Sequence, residues 1–334
     1  MPLPTGPDPL LATARALRNR GAWAELCALD GAGHVELPEV TVIRAEADLR
    51  TGEFRSAHDR LVGLVPQLRA GDDPALCRRA VNMLGAAYFE LGDLAPAEEM
   101  FGLALELASR ASDDLMVARA SNNLGMIDNI RGAHDEALAR YRLAIPAYQR
   151  LGSPAGLAET YHNMAITCRD LEDLEQAERY ERRAIEYGRE AQNPRLLAMA
   201  HVGRAELGLL RGEPAVADAG ARLGATEYER IPDPVGVADA LRISGSARAM
   251  LRDPDGARQA LDRAVELARE HGSALIEAEA REARARLLAE YRLGSPVDDA
   301  RMAIALYRQL RAVRQQAATE AWLQALDPSS GTGH

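Results

Sequence analysis

The chain has 334 residues, 4% of them aromatic, and sets 50 acidic against 40 basic side chains for a formal charge of −10. Such acidity argues against nucleic acid or an anionic membrane as the main partner, since both select for basic surfaces. Every basic residue apart from histidine is an arginine, so Schiff-base chemistry, a Walker-type phosphate loop and a Ser–Lys dyad, which all need lysine, are excluded.

From the N-terminus, Met1 to Asp8 shows no basic region followed by an apolar stretch, and no later segment resembles a membrane span. The expectation is a cytoplasmic protein with a flexible stretch over residues 1–9. A half-matching segment around Gly21-Ala22-Trp23 begins the ordered array. Gly31-Ala32-Gly33 lacks the preceding strand and third glycine of a dinucleotide fingerprint. Cys27, Cys77 and Cys168 are scattered and form no CxxC pair, which reads as small buried helix residues in a reducing compartment.

A 40-residue period then governs the chain. Alanine recurs at Ala57, Ala97, Ala137, Ala177, Ala217 and Ala257, preceded by Gly52, Gly92, Gly132, Glu172, Gly212 and Arg252. Helix starts are marked by Pro74, Pro154, Pro194 and Pro234, each behind a capping residue (Asp73, Ser153, Asn193, Asp233). A period of this kind predicts a solenoid, in which each unit leans on its neighbours. Within one unit, apolar residues at Leu76, Ala80, Leu84, Ala87, Tyr88 and Leu91 have helical spacing up to a stop at Gly92-Asp93. A second helix follows from about Leu94 to Arg110, with Ala97, Phe101, Ala104 and Ala108 inward. The last helix, about Arg314 to Leu326, reads as a solvating cap, and residues 327–334 as a disordered tail.

The unit resembles the tetratricopeptide repeat: Leu84-Gly85, Tyr88, Gly92-Asp93, Ala97, Phe101 and Ala104 in one copy, Leu124-Gly125, Gly132, Ala137, Tyr141 and Ala144 in the next. Later copies keep the alanines and lose most aromatics. The longer period is similar to that of bacterial peptide-responsive regulators and spindle-orientation adaptors. The resemblance implies an all-α, right-handed superhelical α-solenoid of stacked antiparallel helix pairs, with about seven pairs in one solenoid over residues 10–326.

It also implies that the first helix of each pair lines a concave groove where a peptide segment of a partner protein binds. The register carries Arg79, Asn82, Arg119, Asn122, Asn123, Asn129, His162, Asn163, Arg169 and Glu206 into that groove. An asparagine amide can pair with an extended peptide backbone, and Arg79 or Arg119 with a carboxylate. Val42, Ile43, Val202 and Ile243 hold equivalent positions on either side. No nucleophile elbow, zinc-protease helix or phosphate loop is present, so the expectation is a non-enzymatic scaffold with no cofactor and no metal. Two alternatives stand beside it. One is a signalling regulator that senses a peptide or small ligand and acts in trans, since residues 1 to about 35 are too short for an output module. The other is a self-associating homodimer, for which the apolar positions Val202, Leu209, Leu210 and Ile243 offer either a dimer face or a seat for the preceding helix.

Overall fold

The computed structural model describes residues 8–29, 37–310 and 312–326, so the readings of Gly31-Ala32-Gly33, of most of the N-terminal stretch and of the tail at 327–334 lie outside the described residues. Contacts divide the chain into two compact units, residues 1–156 and 157–334. Unit 1 holds α1 (Pro9–Arg20), α2 (Trp23–Cys27), α3 (Pro38–Thr51), α4 (Phe54–Val62), α5 (Leu64–Ala70), α6 (Pro74–Glu90), α7 (Leu94–Ala111), α8 (Asp114–Ile130) and α9 (His134–Arg150). The division falls inside α10 (Pro154–Asp170). Unit 2 continues with α11 (Leu174–Glu190), α12 (Pro194–Leu210), α13 (Pro214–Glu229), α14 (Pro234–Met250), α15 (Pro254–Glu270), α16 (Ala274–Tyr291), α17 (Val297–Gln309) and α18 (Val313–Leu326). The described residues contain no strand, and none of their helices is long and apolar enough to cross a membrane.

The periodic residues explain the pairs. Asp73 caps α6 by accepting from the Leu76 amide at 2.9 Å, and Pro74 opens the helix where a missing N–H costs nothing. Gly92 ends it with φ of +84°, a left-handed turn that lets the Asp93 amide reach back to the Tyr88 carbonyl at 2.9 Å. The same rung is left-handed in every copy, including those without glycine: Glu172 has φ of +63° and Arg252 of +64°.

Between the helices of a pair, small residues admit one large ring. Phe101 is 1% exposed, and a Cβ at Gly85 would lie 2.7 Å from its ring. Tyr141 repeats this against Gly125, where a Cβ would lie 2.6 Å away. Ala97 and Ala137 are fully buried and allow the close helix approach that those rings then fill. The first copy departs from the plan, because its second helix is interrupted at Gly63 into α4 and α5.

Within each unit the first helices of successive pairs touch one another, α3 with α6 and α6 with α8 in unit 1, α12 with α14 and α14 with α16 in unit 2. The second helices α7 and α9, or α13 and α15, make no comparable approach. Helices packed more closely on one side than on the other give each unit a concave face, lined by the first helices.

Candidate functional site

On the concave face of unit 1, Glu46 of α3 sits between two arginines, accepting from Arg18 Nε at 2.7 Å and Arg79 Nη2 at 2.5 Å. Burial favours the neutral acid here, but Arg79 and Arg18 outweigh it and hold the Glu46 carboxyl below its usual range. Arg79 is therefore committed inside the protein. Asn82 is 8% exposed and accepts a long 3.5 Å bond from Asn123 Nδ2. One helical turn before Asn123, Arg119 is exposed and makes no ion pair among the described residues.

Two of the asparagines named from the sequence are covered or engaged within the unit. Asn122 is 2% exposed, because it follows Ser121 on the side of α8 that packs against neighbouring helices. Asn129 lies in the last turn of α8, where its Oδ1 is 3.0 Å from Nδ1 of His134 across the turn into α9.

In unit 2, Asn163 is 8% exposed and engaged inside the protein. Arg169 and Glu206 pair with each other, and Glu206 also meets Arg242 Nη2 at 3.4 Å. Arg242 in turn holds Asp239 at 2.6 Å and Glu279 at 3.2 Å. The result is a ladder of alternating charge, Arg169–Glu206–Arg242–Glu279, one member from each successive first helix. Burial works against the charge on Arg242, but Asp239, Glu279 and Glu206 raise its pKa nevertheless. A ladder already satisfied internally has little capacity left for a charged ligand.

His162 is the other departure. Its side chain is 12% exposed, and Nδ1 lies 2.9 Å from Oε1 of Glu181, itself 1% exposed. Sequence reasoning passed over Glu181, although its position was a signal: it stands where the two preceding copies carry Phe101 and Tyr141. Arg242 and Glu279 were also missed. Their pairing crosses repeats and leaves no mark in a one-repeat motif.

The apolar positions flanking the asparagines are core. Val42, Ile43 and Ile243 are fully buried and Val202 is 7% exposed, packed with Tyr228 and Ala240 in unit 2. A self-association face built on Val202 and Ile243 is thereby overturned, since both are covered within their own unit. Leu210 alone of that set is open, at 59%. Among the described residues no cluster of three or more His, Cys, Asp or Glu side chains is placed to hold a metal ion.

Residues 76–150 and 116–190 match the tetratricopeptide repeat family. No curated protein matches the sequence. Among solved structures, the chain is similar to a Rap protein complexed with Competence and Sporulation Factor, with TM-score 0.63, 13% identity, and 96% of this chain against 97% of that one. It is similar to the Rap conjugation gene regulator of the plasmid pLS20 in complex with the Phr* peptide, with TM-score 0.63, 15% identity, and coverage of 92% and 87%. It also resembles a Signal Transduction ATPase with Numerous Domains carrying a tetratricopeptide repeat sensor, from Pyrococcus horikoshii, with TM-score 0.65 and 14% identity. There 96% of this chain spans about half, 48%, of the other. At these identities the shared property is the fold.

Proposed function

We propose, from the premise that this chain carries tetratricopeptide repeats, that it is an interaction scaffold holding an extended segment of a partner protein against its concave face. The observation that carries this is Arg119 with Asn123: an exposed guanidinium without an ion pair among the described residues, one turn from a half-buried amide that makes a long 3.5 Å bond to Asn82. The arginine offers a planar fork to a carboxylate, and the asparagine a donor and an acceptor to a peptide backbone. A preformed helical face loses little entropy on binding, so the ordering cost falls on the peptide. The two Rap structures, one complexed with Competence and Sporulation Factor and one with the Phr* peptide, support a protein or peptide partner for a similar fold.

Arg119→Glu with Asn123→Ala tests the reading. Wild type and the double variant are used side by side to capture partners from native lysate, with the captured proteins identified by mass spectrometry. A protein retained by wild type and lost by the variant, at unchanged melting temperature, is the expected result. Identical captures would remove these residues from the interface.

The likeness to a conjugation gene regulator favours a second reading, a regulator acting in trans. Its mark is a ligand-dependent change in radius of gyration, measured by small-angle scattering with the captured segment as a synthetic peptide.

A further inference from the structure

Three consecutive copies place a large side chain at one position of the second helix: Phe101, Tyr141 and then Glu181. The first two are rings at 1% exposure, and the third is a carboxylate equally buried. From α10, His162 meets it with Nδ1 at 2.9 Å and 3.2 Å from the two carboxylate oxygens. From α12 it meets Gly203, where a Cβ would lie 2.2 Å from Oε1. The backbone of α12 thus comes up against the carboxylate with no side chain between. The small residue opposite the rings has also changed, from Gly85 and Gly125 to Ala165. Burying a carboxylate where a ring packs elsewhere is unfavourable unless the charge is paired and hydrogen-bonded.

We infer that the His162–Glu181 pair is a proton-held joint in unit 2: one proton shared between imidazole and carboxylate keeps α10, α11 and α12 packed, and its loss as pH rises loosens them. With the proton the pair is neutral overall; without it a net negative charge is enclosed. The charged groups facing the pair are Arg169 from α10 and Glu206 from α12, which neutralise each other. On α11, Glu178 is bonded to Arg182 and to Arg204 of α12, so it supplies no spare cation. Nothing in this surround replaces the lost proton.

The directions of titration agree with the geometry. Burial alone would lower His162, but the Glu181 carboxylate more than offsets it and the imidazole holds its proton above the ordinary value. Burial pushes Glu181 up as well. The folded His162 value exceeds the unfolded one, so the histidine's contribution is fully present below its unfolded value and is lost as pH rises through the folded one, while the burial cost of ionising Glu181 already sets in above the unfolded carboxylate value. This inference is independent of what the concave face binds.

The test uses the full chain between about pH 6 and about pH 9, bracketing the ordinary histidine value. The His162 imidazole is titrated by NMR, melting temperature is followed, and amide exchange is mapped by helix. The expected results are a His162 midpoint above 6.5 and a melting temperature that falls through that midpoint. Exchange in α11, corrected for intrinsic base catalysis, rises about tenfold per unit of pKa displacement, while α15 does not change. Glu181→Gln abolishes the pH dependence. A His162 midpoint at or below the ordinary value, or the same slope in Glu181→Gln, overturns the inference. Should Glu181→Gln fail to fold, His162→Asn makes the same comparison with the residue found at the equivalent positions 82 and 122.

Discussion

Glu172 and Arg252 show how strongly the repeat imposes its turn. Both occupy the left-handed region that the other copies give to glycine. A side chain there costs about 1–2 kcal/mol, while glycine loses about 0.4–1 kcal/mol more entropy on folding. Relief of strain exceeds the entropy loss, so Glu172→Gly is expected to stabilise the protein by about 0.5 kcal/mol, measured as a raised urea midpoint at unchanged m-value. The opposite sign is expected at Gly125. A methyl group 2.6 Å from the Tyr141 ring displaces a side chain that is 1% exposed, and Gly125→Ala should cost about 1–3 kcal/mol by overpacking.

Among the helices, Asp113 does two jobs. Its Oδ1 accepts from the Met116 amide at 3.2 Å and caps α8, while its Oδ2 accepts from Arg78 Nε at 3.0 Å and ties α8 to α6. Asp113→Ala removes both and should cost about 1–2 kcal/mol. Asp113→Asn keeps the cap and loses only the ion pair, so its cost should be the smaller. Exchange of the first-turn amides of α8 separates the two, because only the alanine variant exposes them. Such effects stay near the altered repeat, since stability in a solenoid is a sum over neighbouring units.

Each unit as a whole depends on charges that cross repeats. Arg242 holds carboxylates from α14, α12 and α16, and Arg242→Met would leave Asp239 and Glu279 without this cation, with only Arg169 remaining on Glu206. A loss of about 3 kcal/mol is expected for breaking such a cluster from one side, read by denaturant unfolding. In unit 1, the folded pKa of Glu46 lies below its unfolded value near 4.5. Its contribution is therefore present above about pH 4.5 and lost as pH falls through the folded value. Glu46→Gln should flatten the acid limb of the stability profile, and equal acid limbs in wild type and variant would show that Arg18 and Arg79 do not depend on it.

Helix boundaries, pairing and the inner alanines could be read from the chain because they rest on local chemistry: a cap, a left-handed turn and a small residue recurring every 40 positions. The repeat could also name which helix lines the concave side. It could not say which of its polar residues remain open. Arg79 is taken by Glu46, Arg169 by Glu206 and His162 by Glu181, and in each case the partner lies on another helix, 19 to 37 residues away. Asn122 and Asn123 are adjacent in the chain, yet one is 2% exposed and the other half-buried, because a helix turns successive residues about 100° apart and neighbouring helices cover only one of the two. Periodic sequence fixes an element and its face, whereas availability for binding depends on which charges meet across repeats, and that is decided only when the helices pack.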